Sequence, residues 1–212
     1  MTATTTKPVA STQPGNSKLG KVPNISLMPG RTCNPDAPCR KLCYAVKALR
    51  RPCVKACWTR NTDNAMGYRK DYFAEIDDYC SSRRPPLFRW HVAGDIPDQD
   101  YLDRMAMLAH ANPGTEFLCF TKQHKLDFRY LPDNLHIVFS MWPGWGRVDY
   151  HDYRCKFPRA WMQDGTENRI GQDGRTAVVC PGVTRGEHCD TCGMCWALDS
   201  SDNPVDIIFP KH

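Results

Sequence analysis

The chain has 212 residues, of which 41% are hydrophobic and 24% charged, ordinary globular values that fit one domain with a substantial core. A formal net charge of +5 is too mild to name a partner by itself. The first 20 residues hold no apolar core of a secretory signal, and nowhere is there an 18-residue apolar run, so the expectation is a soluble cytoplasmic protein. In a reducing compartment twelve cysteines point to metal or catalysis before disulfides.

Residues 1–18 are Thr, Ser, Pro, Gly and Lys without periodicity, which predicts a disordered N-terminal arm and leaves 19–212 as a single domain. Order is expected to begin with a strand over about 22–28, ending in the Pro29-Gly30 turn that delivers the chain into RTCNPDAPCRKLCYA. Helices follow over about 44–49 and 63–80, the second capped by Asp63 and carrying Met66, Phe73, Ile76 and Tyr79 at helical spacing. The basic run KALRRPCVK, residues 47–55, reads as a solvated helix end interrupted by Pro52. Then come a strand over 87–93 (LFRWHVA), a helix over about 98–110, and strands over 115–121 and 135–141. Strands alternating with helices predict an α/β fold, a mostly parallel sheet forming an incomplete barrel. Beyond residue 145 the pattern breaks into a Gly- and Asp-rich stretch, a short strand TAVVC, a cysteine-rich segment and a last strand VDIIF. This tail has too few apolar residues for a core of its own and is expected to pack on the sheet.

Cys180, Cys189, Cys192 and Cys195 form C-x8-C-x2-C-x2-C within CPGVTRGEHCDTCGMC. Three closely spaced thiolates plus an outlying Cys-Pro follow the ligand logic of a [4Fe-4S] cluster. Zinc is the rival, although zinc sites usually divide their ligands into two separated C-x2-C knuckles. Disulfides are the third reading. Gly193 would let the backbone wrap between ligands and Trp196 would shield the site.

Cys33, Cys39 and Cys43, spaced C-x5-C-x3-C, sit in the loop after the first predicted strand. Three sulfurs leave one position of a cluster open for an exogenous donor, the arrangement that binds S-adenosylmethionine. The competing reading is a closed zinc or cluster site completed by Cys53 or Cys57. In parallel α/β architectures ligands gather at the carboxyl ends of strands, so Gly94 and Asp95, closing the second strand, are candidates for cofactor binding. Strand alternation places Arg89 and His91 on one face. There His91 is either a satisfied structural histidine or a contact to substrate or metal.

CNPDAPCRKLCYA, HVAGDIPDQDY, FTKQ, RAWMQ and the final cysteine motif, in that order, resemble the phage gene-product-eighty-eight domain family over about residues 18–200. The resemblance implies a functional set of Cys33, Cys39, Cys43, Cys180, Cys189, Cys192 and Cys195, with Cys53 and Cys57 outside the motif. Its C-Y-A element and strand-end G-D are similar to those of phage proteins distantly related to radical S-adenosylmethionine enzymes. The first cysteine motif departs from their C-x3-C-x2-C at both spacings. Two functions are therefore expected to compete, both in the host cytoplasm. One is an iron-sulfur enzyme of radical S-adenosylmethionine type acting on a small molecule or host macromolecule. The other is a non-catalytic iron-sulfur or zinc protein that binds a host factor.

Overall fold

The computed structural model describes residues 9–146, 152–163, 174–200 and 203–210. One sheet of seven strands runs β1 (Asn24–Ile25), β2 (Leu87–Trp90), β3 (Glu116–Thr121), β4 (Leu135–Met141), β5 (Arg159–Gln163), β7 (Asp206–Pro210), β6 (Ala177–Val179). Every pairing is parallel. The α/β expectation holds, and the sheet is all-parallel and open, with β1 and β6 at its edges.

Alternation along the strands divides the sheet into two faces. Phe88, Trp90, Phe117, Cys119, Ile137, Phe139 and Trp161 join one cluster with Tyr72, Phe73 and Ile76 of α3 (Arg69–Arg83) and Tyr101, Leu102 and Met105 of α4 (Gln99–Ala111). Fully burying each such side chain contributes about 1.5–3 kcal/mol. Leu118, Val138, Ala160 and Ile207 face the other way, where they meet Cys180, Trp196 and Leu198. The cysteine-rich tail thus packs against the sheet, on the face opposite the long helices.

Local structure departs from expectation at several points. The helix expected over 63–80 is two, α2 (Pro52–Gly67) and α3, separated at Tyr68, whose φ of −131° and ψ of 47° are not helical. Pro52 does not interrupt a helix but opens α2 at its first turn, where a missing N–H costs nothing. Asp63 therefore lies inside α2, paired with Arg31 at 2.6 Å, while Asp98 caps α4 by accepting from the Tyr101 N–H. The strand β5 falls in a stretch that carried no strand signal. Arg159 interrupts its apolar pattern, and that charge is buried against Asp206, 2.8 Å away on β7. Of the Gly- and Asp-rich stretch, residues 164–173 lie outside the described residues.

The disordered arm expected over 1–18 is corrected for residues 9–18. The Ala10 N–H donates to Glu75, the Ser11 N–H to Asn61, and Asn64 donates to the Val9 carbonyl. Gln13 then bridges to Asn24 as an antiparallel partner of β1. Side chains of α2 and α3 supply these bonds, so the segment needs no periodicity of its own to be fixed.

Candidate metal centre

At the carboxyl ends of β1, β2 and β3 three loops interlock. The Asp95 carboxylate, 5% exposed, accepts from the Thr121 hydroxyl at 2.7 Å, the Ile96 N–H at 2.8 Å and the Lys122 N–H at 2.8 Å. Its own N–H donates to Thr32, and Asn34 donates to the Lys122 carbonyl at 2.9 Å. Burial raises the Asp95 pKa against the pull of these donors and of Lys122. The carboxylate, which the sequence made a candidate for cofactor binding, is a brace between loops with both oxygens engaged. Gly94 likewise serves the protein's own packing. Its φ is +81°, and a β-carbon there would lie 2.6 Å from Leu27 Cβ and 3.0 Å from the Leu27 carbonyl oxygen. No side chain fits between these loops.

On this platform sit Cys33, Cys39 and Cys43, each partly exposed. They are close enough for a thiolate at Cys33 to be opposed by Asp95, Cys39 and Cys43. Burial pushes the Cys33 and Cys39 thiols up, with Lys122 pulling Cys39 back. A metal binding here therefore displaces protons. The proposed completing ligands turn elsewhere: Cys57 faces Ser11, Gln13 and Asn61, and Cys53 is exposed on the first turn of α2.

The four C-terminal cysteines form a second group. Cys180 leads into α5 (Pro181–Thr184), Cys189 and Cys192 bound α6 (Cys189–Cys192), and Cys195 lies in the 3-10 turn Met194–Trp196. Gly193, at φ +61°, caps α6 and reverses the chain between the last two thiols, as the spacing suggested. All four line one small, partly open cavity of about 20 Å³, together with Lys18, Glu187, Met194, Trp196 and Ile207. None of the first three cysteines lines it, so the seven are gathered as two groups. Trp196 walls this cavity and is fixed by donating its indole N–H to the Glu116 carbonyl at 2.9 Å. Burial lifts the Cys189 thiol, and the Cys195 thiol to about 12, with Arg89 opposing both shifts.

Arg89 and His91 do not share a face. His91 has φ +51°, and this left-handed residue ends β2 and turns the imidazole into the helix-side core. It lies 3.1 Å from the Tyr101 hydroxyl and 3.8 Å from Cys119, and burial holds its pKa down to about 3. His91 is thus placed as a neutral core histidine, its ring nitrogens facing Tyr101 and Cys119. Arg89 instead lies on the tail side, over the Phe120 ring at 4.1 Å, with Nε donating to the Trp90 carbonyl. Burial lowers its pKa, while Cys195, Cys189 and Tyr44 act in the opposite sense. It has no carboxylate partner among the described residues. An arginine alternating with Phe88 and Trp90 is the sequence signal for this position, but the pairing with His91 obscured it. Lys18, in the supposed arm, gave no signal.

Four thiols around one largely apolar cavity, with a cation behind them, are a chemically suitable donor set for a thiolate-bound metal group. As the side chains stand, no three His, Cys, Asp or Glu residues among those described converge tightly enough to hold one metal ion. No helix among the described residues is long and apolar enough to cross a membrane. No curated protein and no solved structure matches the chain. The family model described as Gene product 88 matches residues 2–198, and by that match the chain belongs to this family of phage gene products.

Proposed function

We propose that this protein is a phage iron-sulfur protein, its closed cluster held by Cys180, Cys189, Cys192 and Cys195. Cys33, Cys39 and Cys43 offer a second, three-thiolate site with an open position for S-adenosylmethionine. The observation that carries the reading is the common cavity of the four C-terminal thiols. Their spacing, three close thiols with an outlying Cys-Pro in place of two separated C-x2-C knuckles, favours a cluster over a single zinc. When bound, such groups supply electron transfer and, at an open iron, radical chemistry on a small molecule or host macromolecule. The chain's own part is to exclude water with Trp196, offset thiolate charge with Arg89, and hold the Cys33 loop through Thr32 and Asp95.

The non-catalytic reading, a metal-stiffened binder of a host factor, is favoured by one observation. Both Asp95 oxygens are already engaged, which leaves little acceptor capacity for a bound amino acid moiety. Anaerobic purification with iron, sulfide and zinc analysis separates these branches. Two clusters and formation of 5′-deoxyadenosine under reduction are expected for the enzyme. Stoichiometric zinc without sulfide would refute the iron-sulfur assignment. Cys192→Ala is expected to lose the C-terminal cluster's share of the visible absorption, and full iron and sulfide in that variant would refute the four-cysteine site.

A further inference from the structure

The positive charge of this protein is concentrated in one place. Six of its 28 Lys and Arg, and none of its 23 Asp and Glu, lie between residues 40 and 55, so that this segment alone exceeds the formal net charge of +5. Arg40, Lys41, Lys47, Arg50, Arg51 and Lys55 are all exposed. Some surface cations elsewhere find carboxylates, as Arg31 does with Asp63, Arg129 with Asp127 and Arg185 with Glu187. These six form no ion pair with any described residue.

The same segment exposes apolar groups between its charges. Leu42, Tyr44 and Val46 are 72%, 69% and 54% exposed. The Tyr44 ring is also fixed, because its hydroxyl donates to the Val92 carbonyl at the exit of β2. Beneath it, Ala45 of α1 (Ala45–Ala48) is buried against Trp58 and Ala93. An exposed ring is therefore held by its hydroxyl on an anchored turn, in a segment whose cations form no ion pair with any described residue. The helix is too short to read a duplex groove, and an acidic protein would use the charges but give no role to the aromatic. Single-stranded nucleic acid uses both, phosphates meeting the cations and an unstacked base meeting the ring.

We propose that the turn and helix spanning residues 40–55 form a docking surface for single-stranded nucleic acid, with Tyr44 as its stacking platform. The surface directly flanks Cys39 and Cys43, so a strand bound there passes the three-cysteine site. The proposal does not depend on which metal, if any, the cysteines hold.

Fluorescence anisotropy of the full-length protein as purified, with a labelled 20-nucleotide oligo-dT, tests it. The affinity is expected to fall with salt at a log–log slope of about −3 to −4, as for roughly five phosphate contacts to a single strand. The triple charge reversal Lys47→Glu, Arg50→Glu, Arg51→Glu should weaken binding at least about tenfold and flatten the slope by about 2. Tyr44→Leu should weaken it at least about fivefold with the slope unchanged. Circular dichroism checks that both variants fold, and the wild-type salt slope and the competition below need no variant. Duplex DNA of equal length and polyglutamate should compete poorly. Binding absent at about 100 µM protein in low salt would overturn the proposal. So would polyglutamate competing as well as oligo-dT with Tyr44→Leu unaffected, an outcome that would instead indicate an acidic protein partner.

Discussion

Gly94 and Gly30 form a matched pair for measuring what holds the Cys33 loop in place. Both have left-handed backbones, at φ +81° and +85°, but a β-carbon at Gly94 would stand 2.6 Å from Leu27 Cβ, whereas at Gly30 it would meet nothing within 4 Å. Alanine at either position pays about 1–2 kcal/mol for the left-handed backbone and recovers about 0.4–1 kcal/mol from a less flexible unfolded chain. Gly30→Ala should therefore be mildly destabilising, by up to about 1.5 kcal/mol. Gly94→Ala carries a further overpacking cost of about 1–3 kcal/mol, because Leu27 Cβ is fixed to a fully buried backbone and cannot rotate away. At about 2–4 °C per kcal/mol for a chain this size, Gly94→Ala should melt roughly 5–15 °C below wild type and Gly30→Ala less than about 5 °C below. Thermal melts give the first readout. Mass-spectrometric timing of maleimide labelling gives the second, since displacing Leu27 moves the segment that carries Cys33 and should speed labelling there, leaving Cys180 and Cys195 unchanged. Equal melting temperatures for the two variants would refute the crowding argument.

Arg89→Met removes a cation that has no carboxylate among the described residues, at the loss of a contact with Phe120 worth about 0.5–2 kcal/mol and of a hydrogen bond to the Trp90 carbonyl worth about 1 kcal/mol. Because exchanging buried charge for apolar volume is often neutral or stabilising, the metal-free variant should melt at or above wild type. The loaded variant should hold iron about 10–100-fold less tightly, and a metal-free melting point lowered by more than about 5 °C would show that Arg89 is structural instead. Acid should destabilise the fold from about pH 6.5 downward, since unfolded chains take up protons there while His91, held near 3, and His124, held near 4 by burial, do not. His91 alone then costs about 2 kcal/mol by pH 5. His136, between Glu116 at 2.9 Å and Asp199 at 2.8 Å, has a raised pKa. Its contribution is complete below pH 6.5 and is lost as pH climbs through the folded value. Urea melts from pH 5 to 9 should show a maximum between these limbs, and a flat acid limb would contradict the burial of His91.

Strands β3 and β4 were legible because their apolar residues alternate across two buried faces, and α4 because Asp98 and its apolar stripe mark start and side. What escaped the sequence depends on partners far along the chain. Arg159 reads as a strand breaker until Asp206, 47 residues later, accepts from it. The inversion of His91 resides in one dihedral angle that no residue type announces, and it reversed the side assigned by counting. Residues 9–18 have the composition of a free tail, yet Glu75, Asn61 and Asn64 hold them. The cysteine groups were legible from spacing, whereas their separation into two sites required the sheet that lies beneath them.

The segment 18–21 gives the C-terminal cysteines a dependence on the very start of the chain. The Cys189 N–H donates to the Lys18 carbonyl, the Asp190 N–H to the Leu19 carbonyl, and the Lys21 N–H to the Asp190 carboxylate at 2.8 Å. On a ribosome the first of these partners emerges about 170 residues before the last, so the Lys18 and Leu19 carbonyls lack these donors until α6 arrives. The proposed metal site at the second cysteine group therefore depends on residues 18–21 as much as on its own segment.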